Sequence, residues 1–257
     1  MNMRTLTNIA LGTFTVFTFF LTSGCKEQEE KGTLNLNTRL TWHGVELSIG
    51  DTVPDFLNRQ VRPEKLYCYV SNISLRTIQG EWINSSSISR LDFLPFSSSA
   101  VGDFCAKKLR GSDSFDALKF NVGVPSELNQ GIDPTSYANN HPLSFTGSAG
   151  MRWDMHNSYF FVKFEGKLAA EEDGPITVPF ALHPASDPLY RTVVIETNEF
   201  TFHKNDDLEF DLDLDLGRAL EGSSGDIDLS QVGHSMGEVP MAIMFMDNLT
   251  TSWTLKE

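Results

Sequence analysis

Apolar and polar residues alternate with period two along much of the chain. In TLNLNTRLTW, residues 33–42, Leu34, Leu36 and Leu40 recur at alternate positions with Thr38 between them, the spacing that lines one face of a strand. LYCYVSNISL (66–75), PFALHPA (179–185) and RTVVIETNEFTF (191–202) are aromatic and β-branched runs of the same kind. The acidic run DDLEFDLDLD (206–215) sets Leu208, Phe210, Leu212 and Leu214 among carboxylates. That is the pattern of a strand with one wet face, and it lacks the tight glycine turn of a calcium loop. Turn clusters such as Ser85-Ser86-Ser87, Ser97-Ser98-Ser99, Asp133-Pro134-Thr135 and Asp187-Pro188 separate the runs. Two segments read as helical: Leu216 to Leu220, and Pro240 to Leu249, where proline suits a first turn. The pattern predicts an all-β fold, an antiparallel β-sandwich with one or two short helices. No repeat or linker divides it, so residues 33–257 are expected to form one domain.

The N-terminus follows a different rule. Arg4 precedes an uncharged run from Thr5 to Leu21 that ends in Thr22-Ser23-Gly24-Cys25. A basic start, an apolar stretch and small residues at its end make residues 1–24 a signal peptide rather than part of the fold. The Ser-Gly-Cys ending resembles a bacterial lipobox, which implies lipidation at Cys25, a charged tether over residues 25–32, and a mature protein held at a membrane by its lipid and facing the periplasm. Ordinary secretion is the other reading, because Leu21 stands one position early.

Charge narrows the partners. The chain carries 20 Lys and Arg against 34 Asp and Glu; loss of Arg4 with the leader makes the net charge −15. A surface this acidic does not neutralise phosphates, so a nucleic-acid partner is not expected. Two cysteines remain, Cys68 and Cys105. In an oxidising compartment such a pair reads as a disulfide more often than as a metal or catalytic site.

Several familiar chemistries are missing: the sequence contains no Cys-x-x-Cys, His-Glu-x-x-His, Gly-x-Ser-x-Gly or phosphate loop. A catalytic role is therefore not expected, and a hydrolase has no nucleophile motif to rest on. Six histidines occur, none with a histidine four positions away, so any metal site must be assembled from separate strands. The densest candidate chemistry is MRWDMHNSYFFVKFEG (151–166), where Met151, Trp153, Met155 and His156 precede a strand-like run. Thioether sulfur suits Cu(I), and imidazole suits copper generally; packing is the competing reading for the methionines. His234, Met236, Met241, Met244 and Met246 look like a second methionine cluster. Met241, Met244, Phe245 and Asn248, however, share a helical face, which favours packing there.

The order of motifs carries a resemblance. LYCYVSNISL, then LKFNVGVPSELN (118–129), GMRWDMHNSYFFVKFEG (150–166), FALHPASDPLYRTVVI (180–195) and a late Met246-Asp247-Asn248 resemble the MbnP-like copper-binding proteins over nearly all of residues 33–257. The resemblance implies a periplasmic copper-binding lipoprotein. It also implies a partner di-haem cytochrome peroxidase that oxidises a tryptophan to kynurenine, the product joining the copper site. Trp153 is the tryptophan in the matching block. His183, His43 and His156 are the histidines that the resemblance brings forward as metal ligands, with Met151 and Met155 as possible soft ligands. The chain departs from the pattern at Gln130, Met155 and Ser158. A β-sandwich ligand-recognition or adhesion lipoprotein without metal is the alternative.

Overall fold

The computed structural model describes residues 31–93, 97–105, 113–148 and 150–256. Cys25, the leader and residues 25–30 of the tether lie outside them, as does the side chain of Cys105. In chain order the strands are β1 Lys31–Trp42, β2 Val45–Glu46, β3 Val53–Pro54, β4 Gln60–Thr77, β5 Trp82–Asn84, β6 Ile88–Asp92, β7 Ser97–Cys105 and β8 Asp113–Val122. Then come β9 Arg152–Trp153, β10 Ser158–Tyr159, β11 Val162–Ala169, β12 Ile176–His183, β13 Arg191–Phe202 and β14 Asp207–Asp215. The last are β15 Glu221–Gly222, β16 Gly225–Asp226, β17 His234–Met236 and β18 Trp253–Leu255. Three helices interrupt them: α1 Ser126–Asn129, α2 Leu216–Leu220 and α3 Pro240–Leu249. The last two have the bounds that the sequence pattern predicts. Among the described residues no helix is long and apolar enough to cross a membrane.

Two sheets make the sandwich. One runs β18-β14-β1-β2, with β7 also paired to β1; the other runs β13-β8-β4-β11-β12-β17, with β3, β5 and β6 on β4. The pairing is mostly antiparallel, as the sequence predicts, with two parallel exceptions: β1 with β14, and β12 with β17. The reason lies in the connections. A chain leaving β1 returns to β14 only after building all of the second sheet but β17, and nothing forces a hairpin.

The alternation decides which faces meet. Leu34, Leu36 and Leu40 of β1 and Leu212 and Leu214 of β14 point inward and are buried, while Asn35, Asn37, Asp211 and Asp213 face outward. The outward Arg39 is ion-paired to Asp213 beside it. Phe164 of β11 lies parallel to Phe245 of α3 with ring centroids 6.0 Å apart, both fully buried. Thus α3 closes the core, and its Met246 and Phe245 are packing residues. Removing an aromatic side chain of this kind costs about 3–5 kcal/mol.

β4 departs from simple alternation. Cys68, Tyr69, Val70 and Ser71 are all buried, because a long segment between β8 and β9 lies over the outer face of the second sheet. Tyr69 donates to Pro142 O at 2.9 Å, and Arg90 donates to Gly147 O at 2.8 Å. On the opposite, core-facing side of β4, Cys68 is a free thiol, which corrects the expected bridge to Cys105. Val101 of β7 bonds Ser89, and Ser89 stands opposite Val70. Cys105 lies four residues beyond Val101, away from Cys68. At about 3.3 Å per residue this leaves the two cysteines on the order of 20 Å apart, far outside disulfide range.

Candidate metal centre

The outer face of β11 and β12 is polar where the inner face is aromatic. Leu182 points into the core, so His183 points outward, on the face that carries Lys163 and Glu165. His183 is nevertheless only 4% exposed, because Phe160, from the segment leading into β11, covers it with ring centroids 5.0 Å apart. Its Nε2 lies 2.9 Å from Glu165 Oε1. Its Nδ1 is buried and has no hydrogen-bond partner among the described residues. Burial pushes the imidazole down to about 4, with Lys163 and His234 acting in the same direction and Glu165 opposing them. A neutral ring that donates Nε2–H to Glu165 leaves the Nδ1 lone pair free, the arrangement of a metal-binding histidine fixed by a carboxylate behind it. Burial works to raise the Glu165 pKa, but the Lys65 hydrogen bond at 2.7 Å and the charges of Lys163 and Lys65 outweigh it and hold the carboxyl below its ordinary range.

Trp153 lies on the far side of Phe160. It ends β9, and β10 returns after a 3-10 turn, Asp154–His156, closed by Asn157 at φ 48°. Asparagine tolerates this left-handed conformation better than most residues. Arg152 holds the turn through Asp154 Oδ1 at 2.7 Å and through Asn157. The indole is half-buried, stacked on Phe160 with ring centroids 5.5 Å apart, and also meets the tilted His156 ring at 3.8 Å. Trp153 Nε1 is buried without a partner among the described residues. Gly237 makes room for the ring: its φ is +75°, and a Cβ there would stand 2.9 Å from Trp153 Cη2.

β17 completes the surroundings. The parallel register sets His234 beside Ala181 and Met236 beside His183, and Gly237 N donates to His183 O at 3.0 Å. Residues paired in a sheet share a face, so His234 and Met236 stand on the same side as His183. The His183 and His234 rings are perpendicular, with centroids 5.4 Å apart. Sequence reasoning did not single out Glu165 or Phe160, and it assigned His234 and Met236 to a methionine cluster. The usable signal was His-Ser-Met itself, alternate positions of a short strand.

The other candidates lie elsewhere. His43 occupies the β1–β2 turn at φ 47°, its Nε2 3.3 Å from Glu221. Its neighbour Trp42 donates to Pro54 O, and Pro54 pairs with Gln60. His183 instead follows Leu182, whose partner across β11 is aligned with Leu66. The separation along β4 is about seven residues, or roughly 23 Å, so His43 does not approach His183 or Trp153. Met151 is fully buried in the core. Met155 is 80% exposed at the hairpin turn, because the turn reverses before its side chain reaches the sheet. Among the described residues no three His, Cys, Asp or Glu side chains gather as a metal-binding group.

The motif residues have structural partners. Ser71 hydroxyl lies 3.0 Å from Gly123 O and 2.8 Å from Tyr190 Oη, to which Asn72 donates at 3.1 Å. Asn129 donates to Asp187 at 2.7 Å and accepts from Tyr159 N at 3.1 Å. Fully buried Asn248 joins Ser224, Gly225 and Ala219. Each of these joins segments distant in sequence.

The family model described as MbnP matches residues 31–241. The solved structure of MbnP from Methylosinus trichosporium is similar, with 16% identity, a TM-score of 0.49, and coverage of 79% of this chain and 82% of that one. No curated protein matches the sequence.

Proposed function

Because the chain belongs to the MbnP family, we propose that it is a copper-binding protein of the cell envelope, acting by binding rather than by catalysis. The single observation supporting this reading is His183: a buried, neutral imidazole with Nε2 on a carboxylate and Nδ1 unpartnered. Copper is favoured over a hard divalent ion on charge grounds, since Lys65 and Lys163 offset Glu165 and leave no surplus negative charge. Cys25 anchors the protein by lipid, and a partner di-haem cytochrome peroxidase oxidises Trp153. The placement of Trp153 suits that role: the indole is half-buried on a hairpin whose Met155 is exposed, and Phe145, 59% exposed, lies against Arg152. A haem protein docked on this apolar surface would reach the ring without unfolding the sheet.

The test is metal content and intact mass of protein isolated from its native envelope, with His183→Ala beside the parent. The expected result is bound copper in the parent, its loss in His183→Ala, and oxygen incorporation that peptide mapping places at Trp153. Equal copper in both proteins would remove His183 from the site; absence of copper from the parent under copper-replete growth would refute the function.

A further inference from the structure

Resting on that reading, we infer that Lys119 selects which tryptophan is oxidised: its ammonium guards Trp82 against losing an electron and leaves Trp153 as the indole open to a haem peroxidase. The chain holds four tryptophans. Trp42 and Trp253 are buried in the core, while Trp82 and Trp153 are both half-buried. Exposure therefore does not separate the last two, and charge does. β4 pairs Ser74 with Lys119 of β8 on one side and Arg76 with Trp82 of β5 on the other. Ser74 and Arg76 stand at alternate positions, so all four side chains share a face, the one opposite the buried Leu75 and Leu118. The short serine lets the lysine stem cross β4, and Nζ stands 4.2 Å from the centre of the Trp82 ring.

The guard is one uncompensated charge. Arg76 lies over the same ring at 5.8 Å, but Asp116 at 2.8 Å and Glu196 at 3.0 Å offset its guanidinium. Lys119 is ion-paired to no carboxylate among the described residues; burial lowers its pKa, and no acidic group acts against that. A cation over a neutral indole is held by the negative face of the ring. Oxidation reverses the sign of that contact. One electron passes from the indole to the oxidised haem, which is reduced by one; no bond breaks, the proton stays on Nε1, and the ring is left with a unit positive charge. At Trp82 this charge forms against the Lys119 ammonium, and the repulsion is strong because both groups are partly withdrawn from water. Trp153 has no such guard. Among the described residues no lysine or arginine lies over its ring, whose contacts are Phe160, His156 and Gly237. Arg152, next to it in sequence, lies over Phe145 and Tyr159 and is bound to Asp154.

The experiment compares the mature chain with Lys119→Gln, which keeps most of the stem over the ring without its charge, and Lys119→Arg, which keeps the charge. Each protein is exposed to hexachloroiridate(IV), an outer-sphere one-electron oxidant that needs no docking surface, and each is also isolated from the native envelope. Peptide mapping reads oxygen incorporation at Trp82 against Trp153, and near-UV circular dichroism checks that the fold is unchanged. The expected result is oxidation at Trp153 with Trp82 spared, in the parent and in Lys119→Arg alike. In Lys119→Gln the share at Trp82 should rise about tenfold by either route. Trp82 spared equally in Lys119→Gln overturns the guard, and so does a parent in which Trp82 is oxidised as readily as Trp153. Loss of protection in Lys119→Arg assigns it to the fit of the lysine stem and overturns the role of charge. A rise with hexachloroiridate but not in the envelope shows that docking alone chooses the target of the peroxidase, and overturns the selection. Trp153 left unoxidised in the native envelope, with the hexachloroiridate pattern as expected, overturns the functional reading and leaves the guard in place.

Discussion

Acid should destabilise this protein through His183, in a pH window set by its burial. The folded imidazole is pushed from the ordinary 6.5 down to about 4, a difference of roughly two and a half units. At about 1.4 kcal/mol per unit this gives about 3.5 kcal/mol, an upper bound for a side chain only 5% exposed. The sign follows from proton counting. Between about pH 6.5 and 4 the unfolded chain binds a proton at this position and the folded one does not, so stability rises with pH across that interval. The full contribution is present above about 6.5 and is lost as pH falls to about 4. Glu165 adds a separate, lower window, because its carboxyl is held below the ordinary value and its stabilisation is lost only as pH falls below about 4.5. Urea unfolding free energies measured from pH 7 to 4 should decline by an amount that is large beside the 5–15 kcal/mol of a typical domain. His183→Gln should flatten the decline. NMR titration of the His183 ring protons gives the direct check, and a midpoint near 6.5 would refute the argument.

Gly237→Ala should cost about 1–2 kcal/mol for its left-handed backbone alone, and the new Cβ, 2.9 Å from Trp153 Cη2, should shift the indole; unchanged stability and tryptophan emission would contradict this. Asp215 is buried, and its carboxylate accepts from His43 N and Gly44 N at 2.9 Å each and from Arg218 N at 3.2 Å. Asp215→Ala should therefore lose about 2–3 kcal/mol in urea unfolding, since three donors are stranded together; a loss under about 0.5 kcal/mol would show that the turn and helix start do not depend on it. The Cys68 thiol, pushed up to about 12 by burial, should resist alkylation in the native protein and react after denaturation. Rapid native labelling of Cys68, read by peptide mapping, would place it outside the core.

The frame was legible because its signals are local. Period-two alternation marks β1 and β14, and proline at the first turn marks α3. Sheet direction was not legible: whether β14 meets β1 in parallel depends on the path of every residue between them. The cysteine pair misled for a similar reason, since compartment says that thiols can pair but only register says whether they meet. His43 failed as a member of the site because one strand can carry residues of similar chemistry to opposite ends of a sheet. His183 and Trp153 were legible as residues but not as neighbours of Phe160, Glu165 and β17. Those contacts depend on which face of β12 is covered from outside.

The family resemblance rests mostly on residues that join the frame. Ser71, Asn72, Asn129 and Asn248 spend their side chains on backbone and on one another's neighbouring loops, and a buried polar group left unpaired costs about 1–3 kcal/mol. Such positions tolerate little change whatever the protein binds. The candidate donors face a different constraint. His234 is exposed, and Met236, half-buried against the edge of the core, stands on a strand of three residues at the sheet edge. Gln130 and Met155, which depart from the family pattern, are likewise on loops. The frame therefore fixes where a site is held, while an edge strand outside the motifs supplies part of its lining. On this argument the motifs supply His183 and Glu165 to the candidate site, while His234 and Met236 come from a strand outside the motifs.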